Sequence, residues 1–125
     1  MYDEDDPVLA RVRDVALALP DAAEKESHGR PAFFTTKVFA YYGGAVKTAD
    51  GHSRHDQSIV LLADPSERPA LLDDPRFFHP MYLGVSGWVG VVLGDDTDWD
   101  EVAELVETSY RLTAGARRVR LLDAP

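Results

Sequence analysis

The sequence predicts an α+β fold, a two-layer sandwich in which an antiparallel sheet is backed by helices. Three observations carry this expectation. Apolar residues recur at helical spacing near both ends of the chain: Val8, Leu9, Val12, Val15, Ala16 and Leu19, then Trp99, Val102, Leu105, Val106 and Leu112, with Ser109 on the same side. Between them lie short runs rich in Phe, Tyr, Val and Ile, separated by Gly, Asp and Thr turn signals. Strands gathered between terminal helices, rather than alternating with them, fold as hairpins into an antiparallel sheet.

Each element has a local reason. Residues 1–5 are charged and expected to fray. Asp6 before Pro7 starts a helix, with Asp as N-cap and Pro at the first helical position, and Pro20 stops it. Residues 21–31 are polar, with Gly29 and Pro31, and read as a loop. Residues 32–34 and 37–42 read as two strands with a tight turn at Thr35-Thr36. Gly43-Gly44 suggests a bulge or bend, residues 45–48 can continue the strand, and Asp50-Gly51 is a turn signal. The apolar run 57–63 reads as a buried strand, and residues 65–72 as a short helix ended by Asp73-Asp74-Pro75. Phe77, Phe78 and Tyr82 surround His79-Pro80 in an aromatic-rich connection. Residues 88–93 then form a strand between Gly87 and Gly94. Asp98 with Glu101 three residues on resembles a capping box for the last helix, and Gly115 suits its C-cap.

A chain of 125 residues holds one domain with a single core. It is expected over residues 6–115, followed by an arginine-rich tail at 116–125. The absence of Cys excludes disulfides, thiolate chemistry, Cys-ligated zinc and iron–sulfur clusters. The acidic start lacks the features of a signal peptide, and no apolar stretch approaches the roughly 18 residues of a membrane helix. A soluble, cytoplasmic protein is expected, with no membrane partner.

Thirteen Lys and Arg stand against 22 Asp and Glu, a formal charge of −9. That balance denies the broad positive field of a strong polyanion binder. The charge is unevenly distributed. Residues 27–93 carry six basic and six acidic side chains, and residues 94–110 carry seven acids and no base. The segment beyond holds Arg111, Arg117, Arg118 and Arg120 against Asp123 alone. Arginines there suit phosphate, and equally suit the negative end of a helix dipole.

Catalytic patterns are weak. Gly84-Val85-Ser86-Gly87 misses the spacing of a nucleophile elbow and precedes a strand rather than a helix, so it reads as a turn. His52 and His55, with Asp50 and Asp56, offer metal-ligand types, but at the spacing of a hairpin loop with Arg54 opposing a cation. No metal site is expected. The acidic run 95–101 lacks the glycine and far Glu of a calcium loop. No glycine-rich phosphate loop occurs. His28 and His79 flank Pro or Gly and read first as hydrogen-bonded packing residues. Tyr41, Tyr42 and Trp88 read first as core, with base stacking as the alternative.

The chain resembles the YjbR-like family, also called MmcQ/YjbR. The residues that carry the likeness are Leu19-Pro20, His28-Gly29-Arg30-Pro31 with Phe33, and Lys37-Val38-Phe39-Ala40. His79-Pro80 with Tyr82, Trp88-Val89 and Ser109-Tyr110-Arg111-Leu112 follow in order. Together they span about residues 7–115. The resemblance implies a secretion-chaperone-like, double-wing fold with the order α-β-β-β-α-β-β-α and a DNA-binding role. It implies no catalytic residues and no cofactor. Two departures stand out: Thr35-Thr36 replaces the glycines common at the strand turn, and an arginine segment replaces a lysine-rich one.

These readings give a non-enzymatic module, monomeric or weakly dimeric, that binds DNA. The matching polar residues His28, Arg30, Lys37, His79, Trp88, Ser109, Tyr110 and Arg111 are expected to converge on one face or cleft. Strand hairpins would act as wings, with Lys37, Lys47, Arg54, Arg117, Arg118 and Arg120 on phosphate. The alternative is a protein-interaction or small-ligand module using an apolar face or cleft.

Overall fold

Asp6 begins the first helix as the sequence predicts. Its Oδ1 accepts the Val8 N–H at 2.9 Å, and Pro7 opens the helix. In the computed structural model, which describes residues 2–124, this helix is α1, Pro7–Leu17. The strands β1 (Ala23–Ser27), β2 (Arg30–Phe34), β3 (Val38–Thr48) and β4 (Gly51–Leu62) follow. Then come α2 (Arg68–Leu72), β5 (Phe77–Phe78), a 3-10 turn at Gly84–Ser86, β6 (Trp88–Val92), α3 (Trp99–Thr113) and α4 (Ala116–Asp123). The expected element order is present, with β1 added after α1 and α4 added at the end. Met1 and Pro125, the outer ends of the expected frayed terminus and tail, lie outside the described residues. No helix among the described residues is long and apolar enough to cross a membrane.

The six strands form one sheet in the order β1-β2-β3-β4-β6-β5, every neighbouring pair antiparallel. Alternation sends Phe33, Ala40, Tyr42, Ile59, Leu61, Val89 and Val91 to one face, where α1 and α3 cover them with Leu9, Val12, Ala16, Val102, Val106 and Tyr110. A bulge opposite Phe33 and Phe34 adds Phe39 to this cluster, where its ring meets Tyr110 edge-on at 5.5 Å. On the other face Phe78 lies flat across Gly90. A Cβ there would run into the ring, so glycine is required.

Two loops expected from the sequence are strands. Residues 21–31 contain β1 and a two-residue turn at His28-Gly29, with φ of 53° and 79°. Such a turn matches the strand twist. Residues 51–56, expected as loop, belong to β4, and the turn itself is Ala49-Asp50 because Thr48 pairs with Gly51. Half of the expected capping box forms. Asp98 Oδ1 accepts from the Asp100 and Glu101 N–H groups, whereas the Glu101 carboxylate pairs with Arg76 at 3.0 Å. The ends of the chain are held as well. Arg13 joins Glu4 and Glu24 at 3.1 and 2.8 Å, and Leu122 of α4 packs on the core.

Ser109, a polar residue in the apolar stripe of α3, is fully buried between two strands. Pairing of β3 with β4 ends at Ala40 and Leu61. One residue further on, the Ser109 hydroxyl accepts the Leu62 N–H at 3.0 Å and donates to the Phe39 carbonyl at 2.6 Å. It takes the place of a ladder bond where the strands part. Removing it leaves a buried donor and acceptor without partners. Ser109→Ala should therefore cost about 1–3 kcal/mol in urea denaturation, with an unchanged denaturant slope. A loss below about 0.5 kcal/mol would show that the strands simply close on each other.

Candidate functional site

β3 is 11 residues long, but β2 pairs with it only as far as Ala32 opposite Tyr41. Beyond that point the outer edge of β3 has no strand beside it among the described residues. Buried or half-buried backbone carbonyls need donors, and two non-strand groups supply them. Arg30 donates through Nη1 to the Gly43 carbonyl, and the Met81 N–H donates to the Ala45 carbonyl at 2.7 Å. The space between these two anchors is a cleft of about 810 Å³. Its walls are the His28–Arg30 turn, the edge of β3, the outer part of β4 and residues 81–83.

Arg30 is half-buried, and its guanidinium stacks on the Tyr41 ring at 4.4 Å. Trp88 backs the same ring at 5.7 Å between centroids. Burial lowers the Arg30 pKa from its ordinary value. It remains a cation with no carboxylate partner among the described residues, and its donors other than Nη1 have no protein acceptor there. Across the cleft Arg54 is different, tied to Asp56 at 3.0 Å. At the mouth stands Tyr82, 85% exposed and with φ of 66°.

The predicted contact residues do not converge as a set. His28, Arg30 and Arg54 line the cleft, and Trp88 supports it through Tyr41. Ser109 and Tyr110 are corrections: both are buried, with the Ser109 hydroxyl in the β3–β4 gap and the Tyr110 hydroxyl donating to the Pro20 carbonyl at 2.7 Å. They position α3 and cannot meet a ligand. His79 is exposed, its ring lying against Gly84. Lys37 immediately precedes β3 and Lys47 is its next-to-last residue, so the two stand at opposite ends of that strand. Arg111 pairs with Asp123 at 2.6 Å and with Glu107, while Arg117 and Arg118 pair with Asp21 at 3.3 and 3.1 Å. Arg118 also donates to Thr36, which places α4 beside the start of β3, remote from Lys47; exposed Arg120 belongs to the same helix. Spacing alone gave no signal for Tyr2, His52, Met81 or Tyr82 as cleft residues. Tyr82 stands out in the sequence only through the aromatic-rich connection and the family pattern, neither of which points to a cleft.

The sequence profile of the family described as YjbR matches residues 17–112. A crystal structure of a protein from Pseudomonas syringae is similar with a TM-score of 0.64 at 18% identity, covering 83% of this chain and 97% of the other. The Deinococcus radiodurans protein DR2400, whose domain is named DUF419, is similar with a TM-score of 0.64 at 20% identity, covering 94% and 88%. These likenesses show the fold. No curated protein matches the chain.

Asp6, the N-cap of α1, ties that helix to β3 and β4 on the helix-covered face of the sheet. The Tyr42 hydroxyl donates to its Oδ2, and Gln57 Nε2 to its Oδ1 at 3.2 Å. Burial raises the Asp6 pKa, but hydrogen bonds from Tyr42, the Val8 N–H and Gln57 outweigh it and leave the carboxyl below its ordinary value. A depressed folded-state pKa gives stability that is present above about pH 4 and lost as pH falls through the lower native value. Urea midpoints of Asp6→Asn, which keeps a good N-cap, should therefore fall less steeply than wild type below about pH 4. Parallel profiles would contradict this.

Proposed function

The chain belongs to the YjbR family, and from that premise we propose that it is a non-catalytic binding module whose cleft holds a small anionic ligand. The observation that carries this is Arg30: a half-buried guanidinium, clamped by the Gly43 carbonyl and the Tyr41 ring, with donors left over and no carboxylate to neutralise it among the described residues. A planar fork of N–H groups held in place loses little freedom on meeting a carboxylate or phosphate. The cleft volume lies within the range of small-molecule sites. Because Arg54 is tied to Asp56, Arg30 is the charge that recognises the ligand.

A second reading, nucleic acid, has one observation in its favour. The register pairs Lys47 with His52 and Ala45 with Arg54, so Lys47, His52 and Arg54 share one face of the β3–β4 hairpin. That hairpin extends past β2 as a wing. DNA laid on it would touch phosphate through these residues, without the arginines of α4.

Isothermal titration with inorganic phosphate separates the two. For the ligand reading, Arg30→Gln should weaken phosphate at least tenfold, while the double variant Lys47→Gln/Arg54→Gln stays within about twofold of wild type. If wild type and Arg30→Gln bind phosphate equally, Arg30 is not the anchor. For the second reading, duplex affinity should fall steeply with salt and drop in the double variant. A duplex that fails to bind at low salt removes it.

A further inference from the structure

We infer that the cleft takes a phosphomonoester carrying an aromatic base, a mononucleotide-like ligand, with its phosphate on Arg30 and its ring against Tyr82. This rests on the anion-binding reading above and adds to it the identity of the ligand. The Tyr82 φ of 66° is a backbone state that bulky side chains rarely adopt. Its ring is 85% exposed, so nothing in the fold rewards that strain. The turn is nonetheless tightly fixed. Met81 is bonded to Ala45, Leu83 donates to the Met81 carbonyl at 2.7 Å, and Gly84 donates to the Pro80 carbonyl at 2.9 Å. The result is an exposed aromatic ring on a strained, hydrogen-bonded backbone turn at the mouth of a cleft. A planar ring from a ligand covers such a surface, and base–aromatic stacking tolerates any base.

The charged groups point to phosphate rather than carboxylate. One guanidinium fork satisfies a planar carboxylate alone. Here the adjacent turn residue His28 and, from the opposite wall, His52 line the same cleft as Arg30. The carboxylate of the lining, Asp56, is neutralised by Arg54 at 3.0 Å, and N–H groups on two walls suit a tetrahedral oxyanion with three terminal oxygens better than a planar carboxylate. The 810 Å³ volume is far larger than phosphate needs and accommodates sugar and base.

The test is isothermal titration of the full chain at fixed ionic strength with adenosine 5′-monophosphate, adenosine, inorganic phosphate and benzoate. The monophosphate should bind at least tenfold tighter than each of the other three. Tyr82→Ala should weaken it about tenfold and leave phosphate within twofold, while Tyr82→Phe, which keeps the ring, should match wild type. Unchanged urea midpoints confirm that the variants fold. If the monophosphate binds no tighter than phosphate, or Tyr82→Ala has no effect, the ring assignment is overturned while anion binding stands. If benzoate matches the monophosphate, the phosphate assignment is overturned. If phosphate does not bind and Arg30→Gln changes nothing, the anion reading fails as well.

Discussion

β3 outruns the strand beside it, and much of the molecule's open face follows from that mismatch. A strand edge that loses its neighbour leaves carbonyls that must be satisfied by something other than a ladder. Gly43 and Ala45 are satisfied by a side chain and by a loop, Arg30 and Met81. Using Arg30 this way fixes its guanidinium against Tyr41, which in turn rests beside Trp88. Using Met81 this way draws the connection from β5 to β6 over the same edge and lifts Tyr82 to its rim. The cleft is therefore the space between two solutions to one backbone problem. On the other face, Ser109 solves a similar problem at the opposite end of β3, bridging Phe39 and Leu62 where that pairing stops.

The charge of −9 is distributed in a way that leaves Arg30 unneutralised, since the cleft's carboxylate, Asp56, pairs with Arg54. Acidic residues cluster at the start of the chain and at the start of α3, where the helix dipole favours them. The arginines that follow α3 face acids of their own: Arg111 meets Asp123, and Arg117 and Arg118 meet Asp21. These exposed pairs contribute little to stability, yet they neutralise the segment that looked most basic in the sequence. Arg30 has no such partner among the described residues. The cleft's unneutralised arginine thus lies inside the family pattern rather than in the arginine-rich end.

Much of the fold was legible because it rests on periodicity. α1 and α3 show their stripes, and Phe33, Ile59, Leu61 and Val91 announce buried strands. β1 was not legible. It is an edge strand of alternating charge, exposed or half-exposed along its whole length, so no hydrophobic pattern marks it. The outer half of β4 is hidden for the same reason, since Gly51, His52, Ser53 and Arg54 are all exposed. For the site, residue type pointed to Arg30, but nothing local says that its partner is a carbonyl 13 residues away. Ser109 and Tyr110 misled because they entered as polar positions of the family pattern, and nothing local shows that their hydroxyls are taken up by the carbonyls of Phe39 and Pro20.

The proposed anion site is the uncovered edge of β3, beside Arg30. Titrating phosphate into uniformly 15N-labelled protein and following backbone and arginine side-chain resonances tests this most directly. The account predicts shifts in the Arg30 Nε–H, in the amides of Gly43, Gly44 and Ala45, and in residues 81–83, all with one binding constant. Shifts confined to the arginines of α4, or no shifts at saturating phosphate, would contradict it.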